Sequence, residues 1–593
     1  MAPGRQHRLV NERYGVVFFV LCVAVAAWQC YIVALDTSLG GLGRILHNWH
    51  TVAITVANAL LLLSPYWLLR RRWRWLVWVP MTLLTVWCLV QVCYCRAYDD
   101  LMPWRSMTLT SNVNSTLAAS TMALLRWQDW LIAMPWLALV AVCLLGRRCP
   151  DSNDDQRLRP WLVTMAVAVV SALAGYSSTG ESNWERRFLH KFSNRDYFSL
   201  NGLLPYGAFS LYQAILQDHT VTADERMAID RFLNEKCVHY NDNTHCKVEG
   251  RNLIFIIVES LHSWPIGMVV DGREVTPTLN RLIADDGTIY APHVLFQTSH
   301  GHSSDAHFIY NTGLLPLRDG VVAVDYGDGP YPSLAEALQG YDCREIICTP
   351  GMNWNQTVTA RTYGFNTLYT REDLVSAGAL ARHGNIDDAA LTDFAEHLVP
   401  GLHQPFFLEM VTMTMHAPYT ADKVPRTWIS ASDTLNAEAR YYLECVHVTD
   451  SCIGAFIDKL RLLGLNTSNT VIAIVSDHTQ LYRNRIEGRP DEEFVPDDWG
   501  IPMIIAGADT TVLRDAIMGQ VDVYPTLLDV IGANHYPWKG LGHSILRHDV
   551  QSAIQPRNMS VIGDSNSLTA QQMEAWEISR LLIYDRQRFA QRP

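Results

Sequence analysis

The chain has 593 residues, more than a single hydrophobic core ordinarily organises, so at least two domains are expected. Hydrophobic residues make up 49%, Trp alone accounts for 19 positions, and the formal net charge is -12. Because arginines crowd the short loops of the first third, the remainder is distinctly acidic, which excludes bulk attraction to nucleic acid or to anionic headgroups. Any anionic ligand must be held by a local site.

Five apolar stretches occupy the first third: Tyr14 to Leu35, Thr51 to Leu69, Trp75 to Tyr94, Trp127 to Leu145 and Pro160 to Tyr176. Each approaches the roughly 20 residues that a helix needs to cross the hydrocarbon core, although Ser64-Pro65 interrupts the second and the fifth is short. Arg5, Arg8 and Arg13 precede the first span, Arg70, Arg71, Arg72 and Arg74 join the second to the third, and Arg147, Arg148, Arg157 and Arg159 join the fourth to the fifth. This asymmetry assigns those segments to the cytoplasm, and an odd number of spans then exports everything after about Tyr176. Ala24-Val25-Ala26 imitates a cleavage site, but a long apolar run and further spans make the first segment an uncleaved anchor. The expected organisation is a transmembrane domain over 1–176, a polar linker with short helices over 177–251, and an extracytoplasmic domain over 252–593.

From Asn252 onward, strand-like apolar runs alternate with helical segments. Leu253 to Val258, Arg344 to Ile347, Pro405 to Thr412, Val471 to Val475 and Pro502 to Ile505 predict an α/β domain with a largely parallel sheet. The fold class is therefore an α-helical membrane domain of about five transmembrane helices followed by an α/β domain. The run NLIFIIV ends directly in Glu259, and TVIAIV ends in Ser476-Asp477-His478. Open α/β sheets gather their sites at such carboxyl ends.

Between these two runs stands Gly301-His302-Ser303-Ser304-Asp305-Ala306-His307-Phe308. A helix starting near Ser303 would turn its positive end towards an anion, and a metal or base would make the hydroxyl a nucleophile. The plainer reading is that Ser303 or Ser304 only caps the helix. Glu259, Asp477, His478 and Ser303 together form a mixed oxygen and nitrogen set suited to one Mn²⁺, Mg²⁺ or Zn²⁺.

The order Val-Glu-Ser-Leu, Glu-Val-Thr-Pro-Thr-Leu-Asn, Gly-x-Ser-Ser-Asp-Ala, Met-His-Ala-Pro-Tyr and Ser-Asp-His resembles the lipoteichoic acid synthase family of the alkaline phosphatase and sulfatase superfamily, over about Asn252 to Leu546. The resemblance implies that Ser303 stands where the family has its nucleophilic Thr. It also makes His416 a substrate-contacting histidine, sets Trp354 and Gln356 where the family has a headgroup-binding Trp and Arg, and favours Mn²⁺. Gln356 in place of Arg loses the bidentate, charge-assisted grip on phosphate. A formylglycine-type sulfatase needs Cys/Ser-x-Pro-x-Arg, whereas Ser303 is followed by Ser304, Asp305, Ala306 and His307. Sulfate ester hydrolysis is therefore disfavoured.

The expected activity is a membrane-anchored, metal-dependent phosphoglycerol transferase with a phospholipid donor, a phospho-serine intermediate and a glycan or lipid acceptor. Phosphatidylglycerol is the first donor; a phosphoethanolamine transferase and a phosphodiesterase are the alternatives, and a non-catalytic glycan receptor is disfavoured by the complete metal set. Cys237, Cys246, Cys343, Cys348, Cys445 and Cys452 lie in the exported part, where an oxidising compartment favours disulfides. Proximity pairs Cys237 with Cys246 and Cys343 with Cys348. Cys445 and Cys452 stand about 10.5 Å apart along one helix, beyond the reach of a disulfide.

Overall fold

The computed structural model describes residues 3–37, 49–98, 101–102, 104, 126–146, 158–177, 194–216, 220–236, 248–299, 301–318, 321–384, 386–417, 419–424, 427–430, 437–479, 500–556 and 559–590. The Cys237–Cys246 pair and the arginines Arg147, Arg148 and Arg157 lie outside them. Two compact units emerge, Met1–Asp218 and His219–Pro593.

The first unit consists of helices α1 (Pro3–Thr37), α2 (Trp49–Leu63), α3 (Trp78–Tyr98), α4 (Trp130–Gly146), α5 (Leu158–Ser177), α6 (Asn194–Asn201) and α7 (Leu203–Leu216). Among the described residues, three stretches are long and apolar enough to cross a membrane: Gly15–Ala34, Trp73–Cys95 and Leu158–Ser177. Of the five expected spans, the second is shorter than anticipated, while the fourth is helical through Trp127–Asp129 and Trp130–Gly146. α2 has 15 residues and covers about 22 Å at 1.5 Å per residue, against a core of about 30 Å. Its helix tightens at Ser64–Trp67, where Pro65 withholds a backbone donor. Outward-facing Val16, Val20, Val163, Val167 and Val170 are exposed, as lipid-facing side chains are. Inside, Gln29 donates from Nε2 to Thr85 Oγ1 at 2.8 Å and to the Ile132 carbonyl at 2.9 Å, polar ties between helices where no water competes.

The second unit opens with helix α8 (Ala223–Lys236) and carries a hairpin of β2 (Val269–Val270) and β3 (Arg273–Glu274). It is built on a sheet in which β10 (Val512–Leu513), β4 (Ile289–Leu295), β9 (Gly500–Ala506), β8 (Thr470–Ser476), β1 (Asn252–Val258), β7 (Phe406–Val411), β5 (Asp342–Ile347) and β6 (Thr367–Tyr369) lie in that order, with β11 (Met518–Gly519) also pairing with β4. The strands that matter most are β1, β4, β5, β7, β8 and β9. β8, β1, β7, β5 and β6 run parallel, while β9 is antiparallel to both neighbours. This is the largely parallel sheet that the alternation predicts.

Period-2 geometry explains why β1 is apolar throughout. Leu253, Phe255 and Ile257 enter one core, and Ile254, Ile256 and Val258 enter the other, on the opposite face. β4 escapes detection in the sequence because its register shifts between Ala291 and Val294, with Pro292 at the irregularity, where a strand tolerates proline.

The same alternation overturns one expected disulfide. Cys343 packs into the core on one face of the sheet and Cys348 into the core on the other. Five residues of strand would also separate their backbones by about 16 Å. Both are buried free thiols, as is Cys445; Cys452 is a partly exposed free thiol. Cys445 and Cys452 lie two turns apart in the unbroken helix Ala437–Leu462.

Candidate active site

Adjacent parallel strands β1 and β8 pair Val258 with Ser476, so the next residues, Glu259 and Asp477, leave the sheet side by side. Helix α9 (Ser303–Thr312) begins over this edge. Ser303 Oγ lies 3.4 Å from Glu259 Oε2 and 3.3 Å from His478 Nε2. His478 Nε2 is 3.4 Å from Asp477 Oδ2 and 3.8 Å from Glu259 Oε1. Four residues drawn from three separate segments thus meet at one point.

The cluster is held by contacts that the sequence did not disclose. Asp477 Oδ1 accepts from the amides of Ser260 and His478, each at 2.7 Å. Ser260 also donates its hydroxyl to Glu259 Oε1 at 2.6 Å, and Gln520 Nε2 donates to the Asp477 carbonyl at 2.9 Å. Ser260 and His302 have positive φ, 53° and 44°, so a strained residue follows Glu259 and another precedes Ser303. Only the adjacency of Ser260 to Glu259 could have flagged it. Gln520 carries no local signal at all.

The turn before α9 is shaped by Asp305, whose Oδ2 accepts from the amides of Ser299 at 2.8 Å and Gly301 at 3.0 Å. A side chain at Gly301 would set its Cβ 2.1 Å from Asp305 Oδ1. The glycine is therefore required by the carboxylate packed against it. Ser304 turns inward and donates to the Gly301 carbonyl at 2.8 Å, whereas Ser303 faces the cluster; neither serine caps the helix, whose N-cap position is His302 with no side-chain cap bond.

Electrostatics favour an added cation. Burial, with Asp477 alongside, pushes Glu259 up to about 8, and burial pushes Asp305 up to about 7. For His478, burial acts downward but is outweighed by Asp477 and Glu259, and its pKa rises. Asp477 Oδ2 is buried without a hydrogen-bond partner. Donor atoms of Glu259, Asp477 and His478 all lie within 4.8 Å of one another. Buried carboxylates with an unpartnered oxygen and an imidazole nitrogen fit a divalent ion.

His416 stands on the exposed rim. Its Nδ1 donates to the Ala417 carbonyl at 2.6 Å, which leaves Nε2 for a ligand, and partial burial lowers its pKa against the opposing effect of that bond. Trp354 and Gln356 lie beyond β5 in a turn where Trp354 and Asn355 have positive φ, 52° and 57°. Trp354 packs on Val321, Ala323 and Val324. Gln356 is buried and its Oε1 accepts from Thr349 at 3.3 Å. The structure thus gathers Glu259, Ser303, Asp477 and His478, with His416 at the rim, and directs the described polar contact of Gln356 into its own loop.

Residues 251–533 match the family described as Sulfatase, and residues 5–222 match the Lipoteichoic acid synthase N-terminal domain. The lipoteichoic acid synthase of Staphylococcus saprophyticus is 25% identical over 570 residues, covering 91% of this chain and 85% of that protein. The lipoteichoic acid synthase of Staphylococcus aureus is 24% identical over the same shares. Among solved structures, lipoteichoic acid synthase LtaP from Listeria monocytogenes shares the fold with a TM-score of 0.51 at 20% identity, covering 62% of this chain and 99% of that one. With both halves matched in order, the chain joins a region similar to the lipoteichoic acid synthase N-terminal domain to a sulfatase-type domain, and it is a phosphotransferase of the sulfatase and alkaline phosphatase superfamily.

Proposed function

We propose that the protein is a membrane-anchored, metal-dependent phosphoglycerol transferase that works through a phospho-serine intermediate on a phospholipid donor. One observation carries this reading: the Ser303 hydroxyl lies 3.3 to 3.4 Å from both an imidazole nitrogen and a carboxylate oxygen of the cluster. A divalent ion on Glu259, Asp477, His478 and Ser303, with Mn²⁺ preferred over Zn²⁺ or Mg²⁺, would favour the serine alkoxide and offset phosphate charge.

Ser303 Oγ attacks the headgroup phosphorus and the bond to diacylglycerol breaks. His416 protonates the departing diacylglycerol oxygen. An acceptor hydroxyl on a glycan or lipid then attacks the phospho-serine, the Ser303 oxygen leaves, and the acceptor proton passes to His416. The positive end of α9 supports the phosphate. Trp354 and Gln356 complete the headgroup pocket by their family positions. Gln356 carries no charge and is bonded to Thr349, an observation that favours phosphatidylethanolamine as the second donor to test.

In this reading residues 1–176 anchor the chain, 177–251 connect, and 252–593 catalyse on the extracytoplasmic side, periplasmic if the cell is Gram-negative. Either three or five spans are odd in number and export the same end. A reporter fused after Pro593 should be active only outside the cytoplasm. The function itself is tested by mass spectrometry of the full-length protein after incubation with phosphatidylglycerol or phosphatidylethanolamine. The mass added to Ser303 identifies the headgroup. Release of free phosphoalcohol without any acceptor dependence would instead make the enzyme a phosphodiesterase.

A further inference from the structure

Beneath α9 lies a second group of ionisable side chains that the proposed chemistry does not use. Glu345 of β5 and Glu409 of β7 are direct register partners on parallel strands, so both carboxylates leave the same face of the sheet side by side. They are 2% and 0% exposed. His307, one turn into α9, presents Nδ1 at 3.7 Å from Glu345 Oε1 and 3.7 Å from Glu409 Oε1. Asn311, one turn further along the same helix face, donates Nδ2 to the Glu409 oxygens at 3.0 and 3.3 Å. We propose that His307, Glu345 and Glu409, completed by the side-chain oxygen of Asn311, form a second divalent-cation site, separate from the Glu259–Asp477–His478 cluster.

Distances favour an ion over direct bonding. At 3.7 Å the imidazole and the carboxylates are too far apart for a hydrogen bond. Two donors, each about 2.1 Å from one ion, stand about 3 to 3.7 Å apart across ordinary coordination angles. All three donor atoms lie within 4.8 Å of one another. Asn311 Oδ1 is fully buried and has no hydrogen-bond partner, an oxygen that a nearby cation would satisfy. His307 Nε2 is also buried without a partner, so no bond from the protein obliges Nδ1 to carry the proton.

Charge leads to the same conclusion. Among the described residues, His307 is the one basic group within ion-pair distance of either glutamate. Burial pushes His307 down to about 4, which leaves it neutral, and raises Glu345 and Glu409. Two buried carboxylates without a cation must stay largely protonated. A divalent ion with two carboxylates and a neutral imidazole makes a neutral set instead. The nitrogen and oxygen donors suit Zn²⁺ or Mn²⁺. Such an ion would pin α9, and with it Ser303, to β5 and β7.

The test is the metal content of the full-length protein after equilibration with Zn²⁺ or Mn²⁺ and removal of the free ion. Wild type should hold two ions per chain, and Glu409→Gln and Asp477→Ala should each hold one. Glu409→Gln with the same content as wild type overturns the second site, whatever Asp477→Ala does, and means that the two glutamates share a proton. Unchanged content in Asp477→Ala alone counts against the first cluster and leaves the second standing. Should Glu409→Gln fail to fold, Asp477→Ala decides: one retained ion supports the second site, and none overturns it.

Discussion

Replacing Ser303 and Ser304 one at a time separates chemistry from architecture, because the neighbours divide those roles. Ser303 Oγ has only long contacts, 3.3 and 3.4 Å, and its side chain is partly exposed. Ser303→Ala should cost less than about 1 kcal/mol of stability. Ser304 Oγ is buried and makes a 2.8 Å bond to the Gly301 carbonyl, so Ser304→Ala should cost about 1 kcal/mol. Rates should fall in the opposite order. Losing the nucleophile should slow headgroup release at least about a thousand-fold, or about 4 kcal/mol in the barrier, while Ser304→Ala stays within about tenfold. The assay is diacylglycerol release from phosphatidylglycerol vesicles at saturating metal, with denaturant midpoints and intact masses measured in parallel. An adduct that maps to Ser304, or a Ser303→Ala protein within tenfold of wild type, would refute the assignment.

Gly301→Ala should suppress activity more than a hundred-fold, since its Cβ would lie 2.1 Å from Asp305 Oδ1 and the turn carrying Ser303 must move. Near-normal turnover would show that the turn yields without consequence. Asp388→Ala should lower unfolding free energy by about 3 kcal/mol and weaken catalysis through His416. Its carboxylate accepts from Met413 N at 2.6 Å, Thr414 N at 2.9 Å and Thr449 Oγ1 at 2.6 Å, which fixes the strand exit leading to that histidine; denaturant unfolding with a parallel rate measurement checks both effects. His543 should make the protein acid-sensitive. Burial, with Lys236 nearby, pushes it down to about 3, so the unfolded chain binds a proton below about 6.5 that the folded one refuses, and stability falls as pH drops towards 3 at about 1.4 kcal/mol per unit. Between pH 6.5 and 5, wild type should lose about 2 kcal/mol more than His543→Asn, and equal losses would remove His543 as the cause.

The parts of this architecture legible in the sequence are those with a strong local pattern. NLIFIIV and TVIAIV announce buried strands because every position faces one of two cores, and the polar residues that end them stand out for that reason. β4 is hidden by Pro292 and its register shift. Long-range partners are hidden as well: Gln520 reaches Asp477 across 43 positions, and nothing in its neighbourhood marks it. The Cys343–Cys348 pairing failed because proximity in sequence ignores the alternation of a strand, which sends the two thiols to opposite faces. His307 stands in plain view in the Gly301–Phe308 motif, but its partners, Glu345 and Glu409, come together only through the β5–β7 register.

The burial of β1 on both faces has a consequence for how such an enzyme can diversify. Glu259 is the continuation of a strand whose seven residues are all buried, and Asp477 extends another of the same kind. Their positions can shift only if both cores are repacked. His416 sits instead on an exposed turn and Trp354 on a strained one, both beyond strand ends, where substitutions disturb little else; Gln356 follows in the same segment but is buried. On the proposed function, headgroup preference can drift by loop changes while the buried cluster stays fixed, so related chains with this sheet edge should differ first in what they carry and last in how they carry it.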